Sequence, residues 1–168
     1  MAAGIGWRIG FYPLNRRFLR GSVRAAKPAD VAQLSSLFDQ YRQFYDRPAD
    51  LNLARLFIEQ RVQSGDSTLL VAESDRQELV GFTQLYPTLC SVSAGPILVL
   101  YDLFVAAAHR RLGIGRALLQ AARAHGGSVG ALRIDLATAT NNRAAQQLYE
   151  ALGWVCDDAF HHYSLNLP

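Results

Sequence analysis

A short basic turn with two glycines lies between an apolar strand and an amphipathic helix, in the stretch from Leu100 to Leu119. A helix start carries unpaired backbone amides and the positive end of the helix dipole, so glycines there let the oxygens of an anion approach the backbone. Arg110, Arg111 and Arg116 add forked donors that suit phosphate. These residue types at this spacing predict a phosphate-binding turn, and the open question is which phosphate it binds.

Two common phosphate-binding motifs are excluded by the spacing. A dinucleotide fingerprint needs a third glycine where this chain has Leu118, and it needs a tight turn, whereas residues 106–112 separate the strand from the glycines. A P-loop needs Gly-Lys-Ser or Gly-Lys-Thr, which the sequence lacks. The turn is therefore neither of these two sites, and a structural turn in the left-handed conformation is the alternative to a phosphate site.

Hydrophobic periodicity predicts the elements that position this turn. The expected order is a strand, two helices, three strands, a helix, a strand, a helix and a final pair of strands, which makes a mixed α/β sheet with antiparallel parts and one parallel crossover. Pro87 is expected to end the third strand, and Gly126 and Gly127 are expected to end the third helix. The predicted strands are 23–26, 68–73, 79–86, 97–105, 132–137, 154–156 and 160–167, with a flexible connector over 89–95. The helices start near Pro28, Asp50 and Gly113, and the last helix is capped by Asn141 or Asn142.

Length and charge point to one folded domain over residues 23–168, preceded by an N-terminal extension over 1–22. Six of the 17 basic residues precede the first acidic residue, Asp30, so the rest of the chain holds 11 basic residues against all 14 acidic ones. A mildly acidic body is not typical of a nucleic-acid binder and tolerates a cationic substrate better than an anionic one. No apolar run is long enough to span a bilayer, and two isolated cysteines suit a reducing cytoplasm.

The pattern Arg110-x-x-Gly113-x-Gly115 after a strand resembles the pyrophosphate-binding motif of the GNAT superfamily of N-acetyltransferases. A second stretch further along the chain resembles that family's second signature, and the two stand in the family's order. The second stretch reads Asn142-x-x-Ala145-x-x-Leu148-Tyr149-x-x-Leu152-Gly153-Trp154. The resemblance implies a GNAT fold, which is an α/β fold with a mixed central sheet, a splayed parallel strand pair and flanking helices.

The resemblance also implies how acetyl-CoA is held, with no metal required. An amide-rich pantetheine arm can add to a free strand edge like an extra strand, which assigns it to the backbone of Leu103, Phe104 and Val105. Asn142, Ala145 and Tyr149 are expected beside the CoA arm, and Asn142 also caps its helix. The diphosphate is assigned to Arg110, Arg111, Leu112, Gly113, Ile114, Gly115, Arg116 and Ala117. Arg111 departs from the family, which usually has glycine there, so the backbone at Arg111 is open to question.

Tyr149 stands where the family has the proton donor for the leaving thiolate. A phenol has a pKa of about 10, within a couple of units of the value for a thiol, so the proton transfer is close to balanced. The alternative is that Tyr149 only packs on the apolar stripe of its helix. That stripe is already formed by Ala145, Leu148 and Leu152. The sequence therefore predicts a catalytic Tyr149.

Asp102 interrupts the most apolar strand, where a buried carboxylate is costly without a partner. The segment 100–105 resembles the corresponding strand of spermidine/spermine acetyltransferases, but Tyr101 replaces the glutamate that precedes the aspartate there. Asp102 is predicted to be catalytic, as a direct base, as a ligand of the substrate ammonium or as a residue that braces a chain of waters. Capping of a β-bulge is the structural alternative.

Residues 81–87 and 160–163 are similar to those of a GNAT branch that includes polyamine, thialysine and yeast histone/polyamine acetyltransferases. The resemblance implies a homodimer that acetylates a primary amine of a small molecule, such as a polyamine or an amino acid, by direct attack in a ternary complex. A protein lysine or a protein N-terminus is the rival acceptor. A non-catalytic acyl-CoA-binding module that regulates a partner is the alternative from a different class of protein.

Overall fold

The computed structural model describes residues 12, 13, 21–160 and 162–167. Of the extension expected over residues 1–22, only 12, 13, 21 and 22 are therefore described. The chain divides into two compact units, Met1–Leu136 and Ala137–Pro168. Each unit is described by itself.

The first unit is built on a sheet of six strands that lie side by side in chain order. All neighbouring strands are antiparallel except the last two, which are parallel. The strands are β1 (Tyr12–Pro13), β2 (Ser22–Ala25), β3 (Thr68–Glu73), β4 (Leu79–Cys90), β5 (Gly95–Val105) and β6 (Ile134–Leu136). This is the mixed sheet with a single parallel crossover that the sequence predicts.

Three helices belong to the first unit, α1 (Val31–Phe44), α2 (Leu51–Ser64) and α3 (Ile114–Ser128). A short 3-10 turn, Pro28–Asp30, leads into α1. The Asp50 carboxylate caps α2 by accepting a hydrogen bond of 2.9 Å from the Leu53 amide, and Gly65 ends α2 in the left-handed conformation, with φ 62°. The expected start of α2 at Asp50 is confirmed.

The helices cover the two faces of the sheet. Phe38 of α1 and Phe57 of α2 stack with ring centroids 4.9 Å apart, and both pack into the buried cluster that contains Phe82 and Phe104. Successive strand residues point to opposite faces, and Gly81, beside Phe82, approaches Leu118 of α3 so closely that an added Cβ would lie 3.3 Å from its Cδ1. Helices α1 and α2 thus cover one face, and α3 covers the other.

Strand β4 is longer than predicted, because it runs through Pro87 to Cys90. Pro87 lies opposite Leu98 of β5, and only residues 91–94 form the turn between the two strands. The pairing of β4 with β3 ends at Leu85. Beyond that point β5 is the sole neighbour of β4 among the described strands, so a proline without an N–H can lie there without breaking a ladder hydrogen bond on the other edge. The expectation of a strand end at Pro87 was wrong, and the expected connector over 89–95 is reduced to a turn of residues 91–94.

Helix α3 continues through both glycines that were expected to end it. An added Cβ on Gly126 would lie 3.1 Å from Cδ1 of Ile134, so Gly126 is a point of close approach between the helix and the sheet. Gly130, with φ 70°, takes the left-handed conformation that the chain needs to turn. Strand β6 begins at Ile134 rather than at residue 132.

The second unit contains α4 (Arg143–Glu150) and the chain that follows it. Residues 154–160 and 162–167 form no strand, so the expected strands 154–156 and 160–167 are wrong for the described residues. Apolar side chains of this segment are largely exposed, among them Val155 at 92% and Tyr163 at 90%. Alternation decides which face a strand would show, but a strand also needs a partner backbone, and within its described part this segment pairs with none.

Candidate active site

A β-bulge shapes the middle of β5. Gln84 pairs with Asp102 and Leu85 pairs with Leu100, so Tyr101 is the extra residue on β5. Tyr101 is 69% exposed, whereas Asp102 is 7% exposed. Bulges re-aim side chains next to functional sites, and here the bulge brings a carboxylate into the interior of the sheet.

The Asp102 carboxylate accepts a hydrogen bond from the Tyr41 hydroxyl of α1. Burial raises the pKa of the Asp102 carboxyl to about 6, and the hydrogen bond from Tyr41 acts in the opposite direction. Among the described residues, its hydrogen-bond partner is this phenol and not a backbone amide of the bulge. Asp102 is thus a buried acid that changes its charge close to neutral pH.

Strand β5 has a free edge directly after the bulge. Its pairing with β6 covers only Leu98, Val99 and Leu100, and among the described residues β4 is the sole neighbour of β5 from there to Val105. The stretch contains Leu103, Phe104 and Val105, of which Phe104 is buried and the other two are half-buried. An extended amide-bearing chain can add to such an edge.

The Arg110 side chain folds back onto the end of β5. Its Nε donates a hydrogen bond of 3.0 Å to the Val105 carbonyl. Its guanidinium carbon lies 5.5 Å from the Phe44 ring centroid and 5.7 Å from that of Phe104. Arg110 therefore links the free edge of β5 to the aromatic residues of α1.

The turn that follows holds two residues in the left-handed backbone conformation. Arg111 has φ 63° and Gly113 has φ 87°, and a non-glycine residue in the left-handed region is strained. Although Arg111 replaces the usual glycine, its backbone keeps the left-handed conformation that favours glycine. An added Cβ on Gly113 would meet nothing within 4 Å, so the space above this turn is open.

The N-terminus of α3 presents backbone amides with no side-chain cap. Gly113 is the N-cap residue, and the Ala117 amide donates the first bond of the helix, 3.1 Å long, to the Gly113 carbonyl. The three amides between them, on Ile114, Gly115 and Arg116, have no carbonyl partner within the helix, and no described side chain caps them. Ile114 and Ala117 are buried, Gly115 is half-buried, and Leu112 and Arg116 are exposed. Such a terminus attracts an anion.

Helix α4 carries the remaining predicted site residues, in the second unit. The Asn142 Oδ1 accepts a hydrogen bond of 3.3 Å from the Ala145 amide, which confirms Asn142 as the N-cap. The Tyr149 ring is half-buried, and its centroid lies 6.0 Å from that of Trp154. Ala145 and Tyr149 are four residues apart and share one face of the helix.

Sequence reasoning gave no role to two polar residues beside Asp102, which are Gln84 of β4 and Tyr41 of α1. Gln84 is wholly buried opposite Asp102, and Tyr86, two residues further along β4, shares its face. Burial, and then the negative charge of Asp102, raises the pKa of the Tyr86 phenol, which accepts a hydrogen bond from Arg61 of α2. The one available signal was Gln84, a polar residue within an apolar strand. Tyr41 lies on the apolar stripe of its helix and gave no signal.

A profile of the acetyltransferase (GNAT) family matches residues 32–154, which is most of the chain. The chain belongs to the GNAT acetyltransferase family. The sheet with its terminal parallel pair is therefore the GNAT fold that the resemblance implied, and acyl transfer is the chemistry of this family. Members of the family use acetyl-CoA as the acyl donor.

Relatives and solved structures agree with this assignment. The chain is 44% identical over 147 residues to the uncharacterized N-acetyltransferase YhfO of Bacillus subtilis (strain 168), and the match covers 88% of this chain and 98% of YhfO. A crystal structure of a probable acetyltransferase is similar at 32% identity and a TM-score of 0.81, over 87% of this chain and 97% of that one.

A more distant structure shows the same fold with a ligand bound. It is AAC(6')-Iy in complex with the bisubstrate analogue CoA-S-monomethyl-acetylneamine, at 19% identity and a TM-score of 0.73, over 88% of this chain and 99% of that one.

Within the described part of this chain, no group of three or more His, Cys, Asp or Glu could hold a metal ion. No helix of the described residues is long and apolar enough to cross a membrane.

Proposed function

We propose that this GNAT protein transfers the acetyl group of acetyl-CoA to a primary amine of a small molecule, by direct attack in a ternary complex. The observation that carries the proposal is the buried Asp102 carboxyl, which lies just before a free strand edge and an uncapped helix N-terminus in a single strand–turn–helix stretch. One stretch of chain thus supplies a base, a strand edge that can pair with the pantetheine arm and a binding site for the diphosphate.

The residues present suit acetyl-CoA, which supplies an activated acetyl thioester. The free edge at Leu103, Phe104 and Val105 fits the amides of pantetheine. The open turn at Gly113 and the free amides from Ile114 to Arg116 fit the diphosphate. Arg111 and Arg116 are exposed and add positive charge beside those amides.

Asp102 is assigned the role of base. An ammonium group must lose a proton before its nitrogen can attack a carbonyl carbon, and the new amide nitrogen must lose another. A carboxylate with a pKa of about 6 is both ionised at neutral pH and more basic than an ordinary carboxylate. The nitrogen forms its bond to the acetyl carbon, and the amine proton passes to Asp102. The same carboxylate would also attract an ammonium group before it is deprotonated.

Tyr149 is assigned the role of acid. The carbon–sulfur bond breaks as the amide forms, and the leaving sulfur takes a proton from the Tyr149 hydroxyl. A phenol has a pKa of about 10 and a thiol one of about 8.5, so this transfer is close to balanced. The products are an N-acetyl amine and the CoA thiol.

Two observations support a small acceptor. They are the net charge of the chain from Asp30 onward and the likeness to the polyamine, thialysine and yeast histone/polyamine branch of the family. With 11 basic against 14 acidic residues from Asp30 onward, the body favours an approaching amine. We propose that the protein works as a homodimer, on the same likeness.

A thiol-release assay tests the proposal. The protein is given acetyl-CoA and a panel of polyamines, amino acids, aminoglycosides and lysine peptides, and product amides are identified by mass. Turnover on small amines supports the proposal, whereas turnover on peptides alone favours a protein acetyltransferase. Binding of acetyl-CoA without turnover on any acceptor favours the non-catalytic module. Gly113→Glu places a carboxylate in the proposed diphosphate site, so this variant controls for background hydrolysis of acetyl-CoA.

A further inference from the structure

Gln84 is a buried side chain whose hydrogen bonds are incomplete. It is 0% exposed, and its Nε2 donates a hydrogen bond of 2.8 Å to the Ser67 hydroxyl. Its Oε1 is buried and has no partner among the described residues. Since a buried oxygen without a donor is costly, this atom fits a ligand that brings an N–H or O–H group.

The partner of Gln84 across the sheet is Asp102. The two residues are directly opposite in the register of β4 and β5, so their side chains leave the same face of the sheet. Tyr41 donates a hydrogen bond to the Asp102 carboxylate, and among the described residues no group donates to the Gln84 Oε1. An amine, which carries several N–H donors, complements this pair.

A donor of the opposite kind lies further along the same face. Arg61, in the last turn of α2, donates to the Tyr86 hydroxyl, and its guanidinium carbon lies 5.3 Å from the Phe57 ring centroid. Its Nε is buried and has no acceptor among the described residues. A guanidinium with an unused donor is the side chain best suited to a carboxylate.

Tyr86 connects the acceptor pair to Arg61. It stands two residues after Gln84 on β4, a spacing of about 7 Å along a strand, and it is within reach of both the Asp102 charge and the Arg61 guanidinium. Its ring packs edge-on against Tyr101, with centroids 5.8 Å apart. The face therefore changes from hydrogen-bond acceptors to a cationic donor over a short distance, with aromatic rings beside it.

We propose that the acceptor is an amino acid, whose amine lies between Asp102 and Gln84 and whose carboxylate pairs with Arg61. This inference rests on the proposed function and narrows its substrate class. A polyamine would bring a second ammonium toward Arg61, which repels it. An amino acid instead presents each charged end to a complementary group.

Asp66 forms an ion pair with Arg61, and a substrate carboxylate would compete with it. The Arg61 Nη1 lies 3.2 Å from the Asp66 carboxylate, whose side chain is 43% exposed. A pair as exposed as this one contributes little stability. The Asp66 interaction leaves the Nε donor free and can yield to a substrate carboxylate.

The test compares each of a set of amino acids with its carboxamide and with its decarboxylated amine, and adds spermidine. The carboxamide has a less basic amine and the decarboxylated compound a more basic one, so the two bracket any effect of amine basicity. We expect kcat/KM for thiol release to be about 10- to 100-fold higher for the amino acid than for either analogue, as for loss of a charge-assisted hydrogen bond. Equal rates across a matched set, or a preference for spermidine, would overturn the inference.

Variants locate the two ends of the acceptor. Arg61→Met should raise KM for the amino acid about 10-fold or more and raise KM for the decarboxylated amine much less, whereas Arg61→Lys should restore part of the preference for the amino acid. Gln84→Met should weaken the binding of all acceptor amines to a similar extent, because it removes the oxygen beside the amine. Arg55→Met is the matched control, since Arg55 lies on the same helix in an exposed pair with Glu59.

Calorimetry separates failure of this inference from failure of the proposed function. Amino acids are titrated into the protein saturated with CoA, and their binding is compared between wild type and Arg61→Met. Binding that depends on Arg61 without any turnover would refute the proposed acetyl transfer and support this site. Turnover on amines with no dependence on Arg61 would do the reverse.

Discussion

The Tyr41 hydroxyl donates a hydrogen bond to the Asp102 carboxylate, across the interface between α1 and the central sheet. Asp102 is buried, so this bond works in a medium where few other groups stabilise its charge. Tyr41 is held by its own edge-on contacts, with ring centroids 5.9 Å from Phe82 and 6.0 Å from Phe104. The helix therefore sets the orientation of the donor and, through it, the basicity of the acid.

Removal of that donor should move the pH dependence of the reaction. The base works when ionised, so activity should fall as pH drops through a pKa of about 6. Since the hydrogen bond from Tyr41 lowers this pKa, Tyr41→Phe should shift the acid limb of kcat/KM to higher pH by about one unit. Tyr45→Phe is the control, because Tyr45 directly follows α1 and is exposed. An acid limb that does not move in Tyr41→Phe would contradict the assignment.

Asp102→Asn should lower activity and raise stability together. Loss of the base should reduce kcat/KM by about 10²- to 10⁴-fold without loss of CoA binding. Because burial raises the folded-state pKa from 3.8 to about 6, the wild-type fold loses stability as pH rises from the unfolded value through the folded value. The variant should therefore be more stable than wild type at pH 7, by roughly 2–3 kcal/mol, and show no such gain at pH 4. Urea unfolding at the two pH values measures this.

Tyr149→Phe keeps the ring that packs near Trp154 and removes the hydroxyl. We expect kcat to fall by about 10²-fold or more, because the leaving thiolate loses its proton donor. Circular dichroism and the affinity for CoA should stay close to wild type. If turnover is unchanged, the catalytic assignment of Tyr149 is wrong and the residue only packs.

Arg111→Gly should relieve the strain of the left-handed backbone, whereas Arg111→Ala should not. Both variants remove the guanidinium, so they should lose the same CoA affinity, while the glycine variant should be more stable than the alanine variant by about 1 kcal/mol. The same pair at Arg116, inside the first turn of α3, should show the opposite order by about 0.5–1 kcal/mol. Thermal unfolding of the four variants checks both signs.

Arg24 should be essential to the fold because it neutralises two acids at once. It pairs bidentately with Asp30, at 2.6 and 2.9 Å, and with Glu73 at 2.6 Å. Burial acts to raise the pKa of the Asp30 carboxyl, but hydrogen bonds from Arg24 and the Lys27 amide lower it overall. Arg24→Met should cost about 3–5 kcal/mol at pH 7, because it leaves a buried carboxylate unpaired.

Two further variants test that reading of Arg24. Asp30→Asn in the Arg24→Met background should recover part of the lost stability, because no unpaired charge remains at that position. The exposed pair of Arg55 and Glu59 is the comparison, and Arg55→Met should cost well under 1 kcal/mol. Equal losses from the two arginine variants would contradict a special role for Arg24.

The order of the elements from β2 to α4, the turn at Gly113 and the cap at Asn142 could be predicted because each depends on a few consecutive residues. Periodicity, glycine chemistry and capping act over one or two turns of chain. The same local rules failed at Pro87 and Gly126. There the outcome depended on which strand edge was free and on how closely a helix approached Ile134.

The sequence by itself determined the family, the mixed sheet and the stretch that carries Asp102 and the phosphate turn. Only the tertiary structure decided the surroundings of Asp102. The bulge at Tyr101 depends on the register of β4 against β5, and the contacts of Tyr41, Gln84 and Arg61 join residues far apart in the chain. Burial and hydrogen bonding set the pKa of an acid, and both arise from packing between elements. No local pattern in one sequence encodes them.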